Sequence, residues 1–289
     1  MVDCIIIGSG VGGISAALTL KANGKTFLLF GSNALSEKIE KAELIRNYPG
    51  LTAISGKSFL AALQDQLAKE EIAVHEEKVA GVYALNGKFG IATQQGGYYE
   101  SASVILACGV ESVKTIEGET EFIGRGVSLC ATCDGFLYKG KTIGVICTSK
   151  RLEHEIEHLA SFAKKVYLIA MYKDVAVANE NVEIIRKMPT KIAGNMRVEK
   201  LVFADKELAV DGVFSLRESM AANMLIDGLE MQDNHVAVAR DMQTNIPGLF
   251  AAGDCTGRPY QYAKAVGEGN VAAHSVTAYL AKMKTEEKA

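Results

Sequence analysis

Cys4-Ile5-Ile6-Ile7-Gly8-Ser9-Gly10-Val11-Gly12-Gly13 stands at the start of the chain, three residues in. A short apolar run meets a glycine cluster, and Ile14–Ala22 continues in helix-forming residues. Strand, glycine turn and helix in that order are the setting that Gly-x-Gly-x-x-Gly needs to hold a dinucleotide. Gly8 permits the tight turn, Gly10 lets backbone approach a diphosphate, and Gly13 lets the helix pack close to the strand. The helix N-terminus then offers its N–H groups to the phosphates. A second strand is expected over Thr26–Phe30. An acid at its end would take a ribose hydroxyl, but Gly31 and Ser32 stand there, which weakens the reading as an NAD site. An ordinary glycine turn has the same hexapeptide.

The far end of the chain carries a matching half. Asn245 to Asp254 reads as a turn, a short buried strand and a Gly253-Asp254 end, followed by Gln261. Gly267-Glu268-Gly269 opens a helix expected to run to about Lys282. A Gly-Asp pair at a strand end can bring a carboxylate to a sugar or ribityl hydroxyl. Gly267, Gly269, Ala272 and Ala273 let that helix lie close under a ring system, or simply pack on a sheet.

Between these halves lies Cys130-Ala131-Thr132-Cys133-Asp134-Gly135. Two cysteines so close can form an easily reduced disulfide, whereas structural disulfides gain most by closing long loops. A structural zinc site needs a second ligand pair, and none follows at that spacing. The other four cysteines are single, at 4, 108, 147 and 255. Asp134 could hand a proton to a leaving thiolate, or serve as a turn or N-cap carboxylate.

Composition narrows the classes. The 289 residues, 48% hydrophobic and 22% charged, suit two globular domains. No run of 18 apolar residues exists, so no membrane span is expected. Met1-Val2-Asp3 leads straight into a strand without a basic leader, so a cytoplasmic location is expected. A net charge of −3 argues against nucleic acid as the main partner.

With these motifs in order, the chain resembles the low-molecular-weight thioredoxin reductases. The resemblance rests on Gly8–Gly13, Asn47-Tyr48-Pro49-Gly50, Val104–Gly109, Gly124–Gly135 and Ile246–Asp254. It implies an α/β fold of two Rossmann-like three-layer nucleotide-binding domains, the second inserted in the first. Residues 1–112 plus 238–289 would form the FAD domain, and 113–237 the inserted domain with the cysteine pair. FAD is the implied cofactor. Its implied contacts are Gly8, Ser9, Gly10, Val11, Gly12 and Gly13; Gly31, Ser32, Lys38, Ile39, Asn47 and Val79; Ala107, Cys108 and Gly109; and Gly253, Asp254, Tyr260, Gln261 and Tyr262. Cys108 stands where family members often carry threonine. The implied catalytic residues are Cys130, Cys133 and Asp134, with Cys133 against the flavin and Cys130 the outward nucleophile. A homodimer is expected, as are hinges near Gly109–Gly118 and Ala237–Thr244.

The inserted domain departs from the family pattern. There a second glycine fingerprint and a basic cluster bind NADPH. Here the strand Thr142–Ile146 runs into Cys147, Ser149 and Leu152 at the three glycine positions. Side chains at the first two crowd a diphosphate, and Leu152 pushes the helix from the strand. The helix keeps its apolar face at Leu152, Ile156, Leu159 and Ala163. After the strand Val166–Ala170, Met171-Tyr172-Lys173-Asp174 replaces the arginine-rich clamp. This loss, with Gly253 to Gly269, resembles the ferredoxin-dependent flavin thioredoxin reductases of anaerobic bacteria.

Charge agrees with that subgroup. Residues 139–200 hold 12 Lys+Arg and 7 Asp+Glu, while the remainder holds 19 and 27. Lys139, Lys141, Lys150, Arg151, Lys164, Lys165, Arg186 and Lys187 are candidates for steering an acidic ferredoxin, or solvated surface charges. The expected activity is thioredoxin reduction, with ferredoxin as donor and thioredoxin as substrate. An oxygen-dependent dithiol oxidase, a diflavin disulfide oxidoreductase and a non-enzymatic flavin redox sensor stay open.

Overall fold

The computed structural model describes residues 1–110, 115–217 and 222–286. These separate into two compact units. Unit 1 takes Met1–Thr93, Gly97–Val110 and the described residues from 222 onward. Unit 2 takes Gln94–Gly96 and the described residues 115–217.

Unit 1 starts with β1 (Val2–Ile7), α1 (Val11–Ala22) and β2 (Phe27–Phe30). Then come α2 (Glu37–Glu40), α3 (Gly56–Lys69) and β3 (Val74–His75). β4 (Val79–Leu85), β5 (Lys88–Thr93) and β6 (Tyr98–Leu106) follow. The sheet order is β3-β2-β1-β6-β5-β4. Its first four strands run parallel, and β4, β5 and β6 pair antiparallel. Cys4, Ile5 and Ile6 are fully buried, as are Val104, Ile105 and Leu106 on the neighbouring β6, where Ile5 faces Val104 and Ile6 faces Ile105. Strands covered on both faces read as unbroken apolar runs, which is how β1 announces itself.

Unit 2 begins with β7 (Val127–Ser128), α4 (Ala131–Asp134) and β8 (Thr142–Cys147). It continues with α5 (Glu153–Ala160), β9 (Lys165–Ala170), β10 (Val182–Ile185), β11 (Lys191–Gly194), β12 (Val198–Val202), β13 (Glu207–Ala209) and β14 (Gly212–Leu216). The order β10-β9-β8-β14-β7 is parallel throughout, and β11, β12 and β13 form a separate antiparallel sheet. Alternation divides the side chains between two cores. Ile143, Val145 and Phe214 pack with Leu152, Ile156, Leu159 and Ala163, the expected helical face. Ile146 and Val213 pack on the other side with Ile192, Val198 and Leu201.

Near the two ends of segment 115–217, Arg217 grips Glu119, both fully buried. Its Nη2 donates to both carboxylate oxygens at 2.7 and 2.8 Å, and the Ser215 hydroxyl and Ile116 N–H also donate to that carboxylate. A desolvated ion pair holds only when its hydrogen bonds are this complete.

The chain returns to unit 1 before residue 222, not near 238. There it forms α6 (Ala222–Leu225), the hairpin of β15 (Met231–Gln232) and β16 (His235–Val236), β17 (Leu249–Ala251) and α7 (Tyr262–Glu286). β17 joins the parallel sheet beside β6. The stretch Ala237–Thr244, expected as a hinge, falls within unit 1. That stretch is tied into unit 1 by Ala237 N–H to the Glu230 carbonyl and Ala251 N–H to the Met242 carbonyl, each at 3.0 Å. Of the expected hinge at Gly109–Gly118, residues 111–114 lie outside the described residues.

Candidate functional site

The glycine turn of unit 1 is crowded where it must be and open where a ligand would enter. Gly8 has φ +119°, and a Cβ there would run into the Ala107 carbonyl. A Cβ on Gly13 would run into the Gly8 carbonyl. Gly10, by contrast, faces nothing within 4 Å. It is the N-cap of α1 and supplies no side-chain cap, so the helix start is left to an outside acceptor. Val11, Gly12 and Gly13 form its buried first turn.

Gly31 has a local cause. The Ser9 hydroxyl accepts from Ser32 N–H at 2.9 Å and donates to the Ser32 carbonyl at 3.0 Å. That lock puts Ser9 where any Cβ on residue 31 would lie. The absence of an acid there is thus a packing requirement, because no side chain fits.

The strand ends of β6 and β17 bring the next residues together. Ala107 N–H bonds the Ile7 carbonyl, and Ala252 N–H the Leu106 carbonyl. Lys38 donates to the Val110 carbonyl at 2.8 Å, and its Nζ lies 4.0 Å from where a Cβ on Gly109 would be. Asp254 follows Gly253 at φ +89°. Burial pushes its carboxyl up, against the pull of Lys38 and Lys264. Asn47 and Gln261 are joined through their side-chain amides, and Tyr262 donates to the Lys38 carbonyl at 3.4 Å. Ile39 and Val79 are buried. Tyr260 is turned to His235, 2.6 Å from its Nε2.

Two residues of this site carried no role in the sequence reading. Lys264 donates to the Gly253 and Gly257 carbonyls and the Thr256 hydroxyl at 2.7, 2.8 and 2.8 Å, and pairs with Glu268 at 2.9 Å. Glu268 accepts from Gly253 N–H and Thr256 at 2.9 and 2.8 Å. Together they hold the Gly253–Gly257 loop. Their four-residue spacing on one helix was the available signal. Gly269 serves helix packing: a Cβ there would strike the Gly12 carbonyl.

A cradle of this kind fits FAD. It has an open glycine at a helix start for a diphosphate, a half-buried carboxylate for hydroxyl groups, and lysine-held loops around both.

In unit 2, Cys130 and Cys133 are disulfide-bonded. Cys130 is the N-cap of α4, its sulfur accepting from Cys133 N–H at 3.1 Å. Cys130 N–H bonds the Ser128 hydroxyl at 3.2 Å, and that hydroxyl contacts Asp134 at 2.7 Å. The Gln94 carbonyl lies 3.8 and 3.7 Å from the two sulfurs and accepts from Thr132 at 3.0 Å. Cys130 is 4% exposed, while Cys133 is exposed. An N-cap side chain folds back over its own helix start, whereas Cys133 stands on the outer turn. Phe136 and Leu137, just beyond, are 76% and 64% exposed.

The second nucleotide turn has filled itself in. Cys147 donates to the Ser149 carbonyl at 3.2 Å, and Ser149 caps Arg151 N–H. The Tyr172 hydroxyl is buried there. Burial, then Cys147 and Glu153, push its phenol well above the usual range. Glu153 and Glu155 occupy the first turn of α5, where a diphosphate would need positive charge. Of the basic candidates, Lys165 and Lys187 are paired with Glu183 and Asp205 at 2.6 and 2.5 Å.

Residues 2–269 match the pyridine nucleotide-disulphide oxidoreductase family profile. Thioredoxin reductase from Helicobacter pylori is 32% identical, over 97% of this chain and 99% of the relative. The chain belongs to the thioredoxin reductases of this family. Among solved structures, a ferredoxin-flavin thioredoxin reductase from Clostridium acetobutylicum is 42% identical with a TM-score of 0.88, covering 98% of this chain and 99% of that one. A thioredoxin reductase from Gloeobacter violaceus is 27% identical with a TM-score of 0.75, covering 97% and 94%. The two-domain Rossmann-like reading holds. Among the described residues, no helix is long and apolar enough to cross a membrane.

Proposed function

We propose that this protein is a flavin-dependent thioredoxin-disulfide reductase that takes electrons from reduced ferredoxin and not from NADPH. One observation carries the choice of donor. The turn that would hold a pyridine nucleotide in unit 2 has no glycine at its three positions, holds the Tyr172 hydroxyl, and carries Glu153 and Glu155 at the helix start. The similarity to the Clostridium acetobutylicum ferredoxin-flavin enzyme supports the same reading. The energetics allow it. A ferredoxin near about −400 mV and a thioredoxin near about −270 mV differ by about 130 mV, or about 6 kcal/mol downhill for two electrons.

When bound, FAD supplies the exchange between single electrons and electron pairs. The glycine turn and the Lys264–Glu268 clamp would hold it, with Asp254 toward its hydroxyl-bearing chain. The Cys130–Cys133 disulfide receives the pair and becomes a dithiol. Cys130 then attacks the thioredoxin disulfide, and one thioredoxin thiolate leaves and takes a proton. Cys133 attacks the mixed disulfide, frees the second thiolate and re-forms the Cys130–Cys133 bond. Asp134, linked to the pair through Ser128, is the proton donor. Because Cys130 is buried in this structure, its attack needs a rearrangement that uncovers it.

The test is anaerobic flavin bleaching of the purified protein with reduced ferredoxin or NADPH offered separately. Bleaching by ferredoxin alone is expected. Fast bleaching by NADPH would overturn the donor assignment.

A further inference from the structure

Two cysteines outside the Cys-x-x-Cys pair meet at one end of the unit 1 sheet. β6 and β17 run parallel, Leu106 opposite Ala251, so the residues just past their ends lie side by side. The Cys255 sulfur donates toward the Leu106 and Ala252 carbonyls at 3.4 and 3.3 Å, which holds it over both strand ends. Cys108 is the neighbour that bears most on that thiol, and it stands two residues past Leu106, whose carbonyl the Cys255 sulfur reaches. Cys255 is 5% exposed, and Cys108 is half-buried. Cys4 and Cys147 are buried.

We infer that Cys108 and Cys255 form a second redox pair, a dithiol that closes to a disulfide under peroxide. Cys108 is the less buried member. Its sulfur attacks a peroxide oxygen: an S–O bond forms, the O–O bond breaks, and the products are a Cys108 sulfenic acid and water. The Cys255 sulfur then displaces the hydroxyl. An S–S bond forms, the S–O bond breaks, and the Cys255 proton leaves with the hydroxyl as a second water. Two thiols lose two electrons and one peroxide gains them. The Cys108 contact, with burial, holds the Cys255 thiol well above its usual range, so Cys255 resolves and does not attack. A small dithiol restores the pair by exchange. The bond joins the segment around Cys108 and Gly109 to that around Gly253 and Asp254. Oxidation thus reaches the flavin cradle without passing through Cys130 and Cys133.

The experiment uses the FAD-loaded Cys130→Ser/Cys133→Ser variant, which keeps four of the six cysteines. After stoichiometric hydrogen peroxide, the thiol titre of the denatured protein is expected to fall from four to two. Trypsin should release residues 89–114 linked to residues 241–264, and adding Cys255→Ser should abolish that linked pair. A titre that stays at four overturns the inference. So does a sulfinic acid at Cys108 with Cys255 still free. Should the double variant fold poorly, the same mapping works on the unaltered protein, whose Cys130 and Cys133 share tryptic residues 126–139.

Discussion

Cys130 and Cys133 are three residues apart yet differ in surroundings, one capping a helix start and nearly buried, the other on its outer turn. If Cys130 is the attacking sulfur, Cys133→Ser leaves the mixed disulfide with no resolving partner. A stable adduct between that variant and thioredoxin is expected on a non-reducing gel, and Cys130→Ser should give none. An adduct from Cys130→Ser alone would exchange the two roles. Asp254 gives a second prediction at this scale. Burial raises its folded-state carboxyl above the ordinary value, more than Lys38 and Lys264 lower it. Its contribution to stability is therefore present below the unfolded carboxylate range and is lost as pH rises through the raised value. In the cofactor-free protein, Asp254→Asn should raise the denaturation midpoint at pH 7, with the gain shrinking as pH falls through the carboxylate range. A gain that persists unchanged at low pH would point to a cause other than ionisation. The FAD-loaded variant should lose cofactor more readily if Asp254 accepts from the FAD hydroxyl groups as proposed.

At the scale of elements, the packing of α1 on α7 depends on Gly12 and Gly269. A Cβ on Gly269 meets backbone, which cannot swing aside as a side-chain tip can. Gly269→Val should cost about 1–3 kcal/mol or more, read as a lower denaturation midpoint; an unchanged midpoint would mean that the helices separate freely. Polar contacts fix the same interface, with Ser15 donating to the Val266 carbonyl at 2.7 Å and Asn270 to Thr19 at 3.0 Å. This element also shows what a sequence can disclose. The strand and glycine turn before α1, and the apolar face that Leu152, Ile156, Leu159 and Ala163 form on and beside α5, follow from local period and were legible. The role of Gly269 was ambiguous, since ring stacking and helix packing ask for the same small residue. The Ser9 lock that forbids a side chain at 31 joins positions far apart in the chain, as does the neighbourhood of Cys108 and Cys255. The return to unit 1 before residue 222 was likewise hidden, because it is set by what α6 and the β15–β16 hairpin pack against. Such facts belong to proximity, which no local pattern encodes.

For the whole molecule, the charge distribution bears on the electron donor. Residues 139–200 carry a positive excess in a chain of net charge −3, and a field of that kind speeds encounter with an acidic partner. The structure narrows which charges count. Lys165 and Lys187 already face carboxylates, so much of their field is cancelled close to the surface. Lys150, Arg151 and Lys164 are exposed, the first two within the degenerate nucleotide turn. Neutralising these three to glutamine should slow ferredoxin-linked turnover several-fold at low ionic strength. The deficit should close as salt shortens the Debye length to about 3 Å near 1 M. Reduction of the Cys130–Cys133 disulfide by a small uncharged dithiol should be unaffected, since no long-range attraction operates there. A slower rate that ignores salt would mean that the substitutions damage the fold and not the encounter. An unchanged rate at low salt would remove this face from the ferredoxin path, while leaving the flavin and disulfide chemistry as proposed.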